Sequence, residues 1–211
     1  MKILNLYAGI GGNRNLWGDK HKVTAVENKP EIAKIYQDFF PKDKVIVADA
    51  HEYLLKHFDE YDFIWSSPPC PSHSRFRLSQ PSRKYYKFPD MKLYEEIIFL
   101  RFFGKKQRWL IENVRSYYKP LIRPQEASRH YFWANFPIAR KEFVSAKIRE
   151  NDGYNRISKL YDINIDKYNV EDKRKLLRNC VNPKLGLHIF NCAFKEKQVN
   201  LLDLDGGRKN G

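Results

Sequence analysis

Cysteine is scarce in this chain: Cys70, Cys180 and Cys192 are the only three among 211 residues. No two of them stand at the short spacing of a zinc site, so no metal is expected. Nor do they form the paired framework of a small secreted domain. No apolar run approaches the ~20 residues that a membrane-crossing helix needs, so no membrane partner is expected. The apolar start, MKILNLYAGIGGNRN, carries three glycines and then turns polar. That pattern reads as a buried strand and turn rather than a secretion signal, in a cytoplasmic setting.

Acidic side chains are also few, 25 against 39 Lys and Arg, which leaves a net charge of +14. An excess of that size points to a polyanionic partner, nucleic acid first, against the plainer reading of a solubilising surface. Global disorder is not expected of a chain that is 42 % hydrophobic and 15 % aromatic. The length suits one substantial core with a small appendage, and a monomer is expected.

Apolar runs alternate with helical patterns. Strands are predicted at Lys2–Tyr7, Val23–Glu27, Lys44–Ala48, Asp62–Ser66 and Arg108–Val114. Helices are predicted from Pro30 through Phe40, at Ala50–Phe58 and at Met91–Phe103, where Leu93, Ile97, Ile98 and Phe102 recur at helical spacing. This alternation predicts an α/β fold with a mostly parallel, doubly wound sheet, its loops gathered along one rim. Beyond Val114 the pattern loosens. His130–Phe136 and Lys141–Ala146 read as strands, Ala146–Asp172 as a polar, tyrosine-dotted appendage, and Lys173–Phe190 as helical across Asn182-Pro183. Gly206–Gly211 is expected to fray.

Two strings carry the chemistry. In SSPPCPSHS, two prolines stiffen the approach to Cys70 and present its thiol on a rigid turn. In IENV, Glu112 follows the apolar run Trp109-Leu110-Ile111, at a strand end where α/β proteins build their sites. A nucleophilic sulfur with a carboxyl acid is the minimum equipment for attacking and protonating an electron-poor ring. A buried, inert thiol is the alternative for Cys70, and it is the reading preferred for Cys180 and Cys192, placed on apolar helical faces. His73 is read as a polar loop residue rather than a base. The turn Gly9-Ile10-Gly11-Gly12 directly follows the first strand, so a ligand can approach its backbone. Arg14 stands where a nicotinamide fingerprint needs its third glycine, which argues against that cofactor. Glu27 ends the second strand and can accept ribose hydroxyls, and Asp49 after the third can hold an adenine amine; two solvated acids beside an ordinary turn is the alternative.

Taken together, these strings resemble the DNA (cytosine-5) methyltransferases, in the family's order, over roughly residues 3–190. NLYAGIGG is similar to their first motif, VEN and VADA to the second and third, PPCPSHS to the nucleophile motif and IENV to the glutamate motif. RNCVNP is similar to the late motif whose helix completes the cofactor pocket. The resemblance implies a Rossmann-like class I methyltransferase fold and S-adenosylmethionine as cofactor. It implies that Tyr7, Ala8, Gly9, Gly11, Gly12, Glu27, Asn28, Asp49, Ala50, Pro69, Asn179 and Cys180 hold that cofactor, with the Tyr7 ring against the adenine. Cys70 would add to carbon 6 of a flipped-out cytosine, and a protonated Glu112, its pKa raised, would meet ring nitrogen 3. Asn113 would steady the backbone. The arginine-rich motif is reduced to Ser128-Arg129-His130-Tyr131, leaving Arg129 to hold the base and Ala127 in place of a first arginine. Pro71 replaces a glutamine and Asn5 an aspartate.

Duplex DNA is the implied partner. Ser74 is expected to position the nucleophile loop, and Arg75, Arg77, Arg83 and Lys84 to grip phosphates from a mobile segment. The resemblance divides the chain into a catalytic core (1–145), a short target-recognition region (146–172), a returning segment (173–194) and a tail (195–211). Restriction-modification is one role such a protein serves. Cytosine methylation of tRNA and a non-catalytic nucleic-acid binder remain as rival readings.

Overall fold

The computed structural model describes residues 1–79, 87–143 and 153–194; of Phe76 and Arg77 it describes the backbone. Seven strands make one sheet: β1 (Lys2–Leu6), β2 (Lys22–Glu27), β3 (Lys44–Val47), β4 (Phe63–Ser66), β5 (Arg108–Val114), β6 (Gln125–Ala127) and β7 (His130–Ala134). Their order is β3-β2-β1-β4-β5-β7-β6. β1 to β5 run parallel, while β7 is antiparallel to both β5 and β6. Strand order reverses between β1 and β4, the place where open α/β sheets bind ligands beyond the carboxyl ends of their strands.

Alternation along the strands explains the two covered faces. Ile3, Phe63, Trp65, Leu110 and Phe132 point to one face, against Trp17 and against Leu185, Ile189 and Phe190 of α6 (Pro183–Phe194). Leu4, Leu6, Ile64, Ile111 and Trp133 point to the other, against Leu54 of α2 (Ala50–His57) and Leu93, Ile97 and Leu100 of α3 (Lys92–Phe103). A sheet buried on both sides needs the near-continuous apolar strands seen in the sequence.

Arg14 has a structural role. It is buried, and its Nε and Nη2 donate to the two oxygens of Asp43 at 2.9 and 3.0 Å. Tyr36 of α1 (Pro30–Phe39) donates to the same carboxylate at 2.9 Å. The residue that breaks the dinucleotide pattern thus ties the loop after β1 to the end of α1.

Three expectations are corrected beyond β5. Lys141–Phe143 carries no strand; the rest of that prediction lies outside the described residues. The edge strand is instead Gln125–Ala127, joined to β7 through Ser128 at φ +55°. The single helix expected from Lys173 is two, α5 (Lys173–Arg178) and α6, because Pro183 supplies no N–H and keeps the residue before it from helical conformation. Cys180 consequently lies in the turn between them, not on a helical face; Cys192 is on α6. The described part of the 146–172 region includes α4 (Gly153–Tyr161). Its Ile157, Tyr161, Ile163 and Ile165 are buried in one cluster with Ile10, Ile35 and Leu177. Among the described residues no helix is long and apolar enough to cross a membrane.

Candidate active site

The turn after β1 is held open by its own backbone and by one carboxylate. Tyr7, Gly9 and Gly11 all take positive φ, at 53°, 54° and 80°. Glu27, at the carboxyl end of β2, accepts from Gly9 N at 3.0 Å and Lys29 N at 3.1 Å. Each carboxylate oxygen keeps a further lone pair, so the acid that shapes the turn can also accept a ligand hydroxyl. Ala8 is buried beneath this turn, and Asn28 is exposed beside it. Asp49 caps α2 by accepting from His51 N and Glu52 N at 2.8 and 3.1 Å, and Ala50 is buried behind it. Gly12 faces the late motif: a Cβ there would sit 2.7 Å from Cys180 Cβ and 2.8 Å from the Val181 carbonyl oxygen. RNCVNP therefore packs directly on the glycine turn, with Cys180 buried and Asn179 exposed.

The sequence does not announce a buried carboxylate below this turn. Glu96 of α3 accepts from the Tyr7 hydroxyl at 2.7 Å and the Ser66 hydroxyl at 2.6 Å, and His51 Nδ1 lies 3.1 Å away. It fixes the Tyr7 ring at the rim. One signal was present, since Glu96 falls at helical spacing with Leu93 and Leu100, a core position.

The reacting centre is built by tying two loops together. Asn113 Nδ2 donates to the Pro68 carbonyl at 3.0 Å, while its Oδ1 accepts from Val114 N. The prolines ahead of Cys70 are thereby fastened to the strand that carries Glu112. Past the cysteine, His73 N and Ser74 N both donate to the Cys70 carbonyl, at 3.0 and 3.1 Å. Tyr117 N donates to the His73 carbonyl, and Ser74 bridges to Ser116. His73 lies in the loop, as expected, but is buried there: it is 1 % exposed, with Nδ1 2.6 Å from the Tyr118 hydroxyl. Packing claimed it, because its backbone pairing turns the ring inward.

Burial sets the protonation. Cys70 is half-buried, and its thiol is pushed up to about 11 by desolvation and then by the charge of Glu112. Glu112 is buried, and desolvation raises it to about 7, although a hydrogen bond from Ser67 favours its charged form. The Ser67 hydroxyl itself accepts from Trp65 Nε1 at 2.9 Å. His130, to which the sequence assigns no role, places Nε2 3.6 Å from Glu112 Oε1. Arg129 is exposed on the β6–β7 turn, near enough to His130 to act on its charge. Pro69 is exposed at the mouth of this loop.

Of the predicted phosphate grips, Arg75 is exposed but anchored, its Nε donating to the Ser116 carbonyl at 3.0 Å. The side chain of Arg77 and all of Arg83 and Lys84 lie outside the described residues. Among the described residues no cluster of His, Cys, Asp and Glu could hold a metal ion.

A mostly parallel seven-stranded α/β sheet with this rim is the Rossmann-like fold of the methyltransferases. The Entamoeba histolytica methyltransferase EhMeth superposes with a TM-score of 0.54 at 13 % identity, over 93 % of this chain and 99 % of that one. Spodoptera frugiperda DNMT2, as a triple mutant, gives 0.44 at 21 % identity, over 67 % of this chain and 53 % of that one. A prophage-encoded protein of E. coli, described as a DNA modification methyltransferase, gives 0.38 at 21 %, over 56 % of this chain. The chain spans about half of the insect protein and 33 % of the prophage one. Among curated proteins no sequence matches. The model of the C-5 cytosine-specific DNA methylase family matches residues 1–120, more than half of the chain. The protein belongs to that family.

Proposed function

We propose that the protein transfers a methyl group from S-adenosylmethionine to carbon 5 of cytosine in duplex DNA, through a transient Cys70 adduct. The observation that carries this reading is that the Asn113–Pro68 tie fastens the Cys70 loop to the strand of Glu112, whose charge acts on the thiol. The glycine turn, Glu27 and Asp49 fit a nucleoside with an uncharged tail, since they offer backbone and carboxylate acceptors along one rim. Bound there, S-adenosylmethionine supplies an electrophilic methyl group. Tyr7 would lie against its adenine, and Cys180 with Asn179 would close the pocket from below.

Carbon 5 of cytosine is a poor nucleophile until a sulfur adds to carbon 6. Cys70 forms that bond and Glu112 holds a proton at ring nitrogen 3, neutralising charge as it develops. Arg129 steadies the base. Proton placement is the demanding part. With the thiol at about 11 and the carboxyl at about 7, a thiolate beside a protonated Glu112 is the less stable of two ways to place one proton. The gap narrows once Glu112 is protonated, because its charge is part of what raises the thiol, and contacts to the flipped base must offset what remains.

Residues 1–145 and 173–194 would then form the catalytic unit, with 146–172 reading the target. So short a reader implies few base contacts and a short or degenerate site. The test is covalent trapping on duplex DNA containing 5-fluorocytosine, with S-adenosylmethionine present and tRNA as a parallel substrate. A denaturation-resistant adduct on DNA that C70S abolishes is the expected result. Trapping on tRNA alone would move the substrate to RNA, and no adduct on either would overturn the mechanism.

A further inference from the structure

Glu112 has a neighbour that this mechanism leaves idle. β5 and β7 pair with Glu112 opposite Phe132 and Val114 opposite His130, so His130 is the diagonal neighbour of Glu112 on the same face of the sheet. Its Nε2 lies 3.6 Å from Glu112 Oε1, a few tenths of an ångström beyond hydrogen-bond length. Contacts of that kind tighten when a site closes on its substrate. Its Nδ1 is buried with no hydrogen-bond partner among the described residues. A buried lone pair left unpaired costs less than a buried N–H left unpaired. The ring therefore carries its proton on Nε2 and aims it at the carboxyl.

The surroundings also keep that ring uncharged. Burial first, then Arg129 from the β6–β7 turn and Arg115 just beyond β5, push His130 down to about 4. Arg115 is itself paired with Glu126 of β6 at 3.1 Å. Facing Glu112 from the loop after β4 are the Ser67 hydroxyl and the Cys70 thiol. A charged imidazolium in this place would hold Glu112 as the anion and leave it no proton for the base. A neutral donor does something different: it occupies one carboxyl oxygen without capturing the proton.

We propose that His130 is a positioning residue for Glu112, its neutral imidazole donating through Nε2 to Oε1 so that the other carboxyl oxygen is the one presented to ring nitrogen 3. The role rests on the cytosine reading above; the strand register that sets the ring beside the carboxyl is present without substrate. Removing the donor removes a hydrogen bond that favours the carboxylate. The Glu112 titration midpoint should then rise in H130F and in H130L, by less than the about one pH unit of a full-length hydrogen bond, because the free protein holds the pair at 3.6 Å. In H130Q, whose amide nitrogen can reach the same oxygen, it should stay where the wild type has it.

The experiment is a carboxyl-carbon NMR titration of the unliganded protein, with Glu112 assigned by its loss in E112Q, alongside the imidazole nitrogen spectrum of the native protein. An uncharged Nε2–H tautomer at pH 7, with the midpoint raised in H130F or H130L and restored in H130Q, is the expected result. An imidazolium at pH 7, the opposite tautomer, or an unmoved midpoint in a folded H130F or H130L overturns the proposal. Should neither variant fold, the native nitrogen spectrum decides alone. Adduct formation on 5-fluorocytosine DNA is scored separately, so a failure of the cytosine reading leaves the outcome of the titration standing.

Discussion

Replacing Glu112 with glutamine should make the protein more stable and nearly inactive, and the stability gain should depend on pH in a calculable way. Glu112 is buried, and its carboxyl rises from the ordinary 4.5 to about 7 on folding. A carboxyl whose folded value lies above its unfolded one favours the folded state most below the unfolded value. That contribution is lost as pH rises through the folded value. The rise from 4.5 to about 7 corresponds to about 3 kcal/mol. Glutamine resembles the protonated carboxyl in shape and does not titrate. Wild type and E112Q should therefore unfold alike near pH 4, diverge between pH 4.5 and 7, and differ by about 3 kcal/mol at pH 8.5, with E112Q the more stable. Urea unfolding at a series of pH values measures this directly. Methyl transfer should fall by a factor of about 10²–10⁴, the usual share of a positioned acid.

A second readout needs no substrate. The charge of Glu112 is one of the two effects that raise the Cys70 thiol, so E112Q should lower it and speed alkylation of Cys70 at pH 8, followed by peptide mass spectrometry. Equal stability of the two proteins at pH 8.5 would refute the reasoning, because it would mean that Glu112 does not sit in a desolvated site. Unchanged alkylation would refute the coupling between the two loops.

Other outcomes are equally direct. G12A should weaken S-adenosylmethionine binding by about tenfold or more in calorimetry, because its Cβ collides with Cys180 and the Val181 carbonyl and pushes the late motif away. I165A, at a side chain with no exposure, should cost about 2–5 kcal/mol in urea unfolding if the region before α5 is core; a loss below about 1 kcal/mol would make it a loose appendage. R14A strips Asp43 of its buried partner and should cost about 3–5 kcal/mol in urea unfolding. R75A together with R77A should weaken DNA binding and flatten its salt dependence, and an unchanged salt slope would count against a phosphate contact.

How much was legible in the sequence follows from what kind of interaction each feature depends on. The glycine turn, the acids at the ends of β2 and β3, the proline-stiffened cysteine and the glutamate closing β5 are local: each follows from backbone freedom or strand periodicity within a few residues. Strand-helix alternation then places all of them on one rim, so their neighbourhood follows from the chain alone. The ends of α1, α2 and α3 came within a residue for the same reason, whereas the helical run from Lys173 was broken at Pro183 and ended four residues later than expected.

What tertiary structure alone decided is which polar groups lie in a dry, low-dielectric place and which partners they find there. His130 pairs with Glu112 only through the β5–β7 register, which no spacing along the chain encodes. His73 turned inward because Tyr117 and Tyr118, far along the chain, claim its backbone and its ring. Gln125–Ala127 became the edge strand because β7 was there to pair with it. The residues that can react are written locally; the protons they carry are set by desolvation and by charges brought close across the fold, which depend on distance in space rather than on order in the chain.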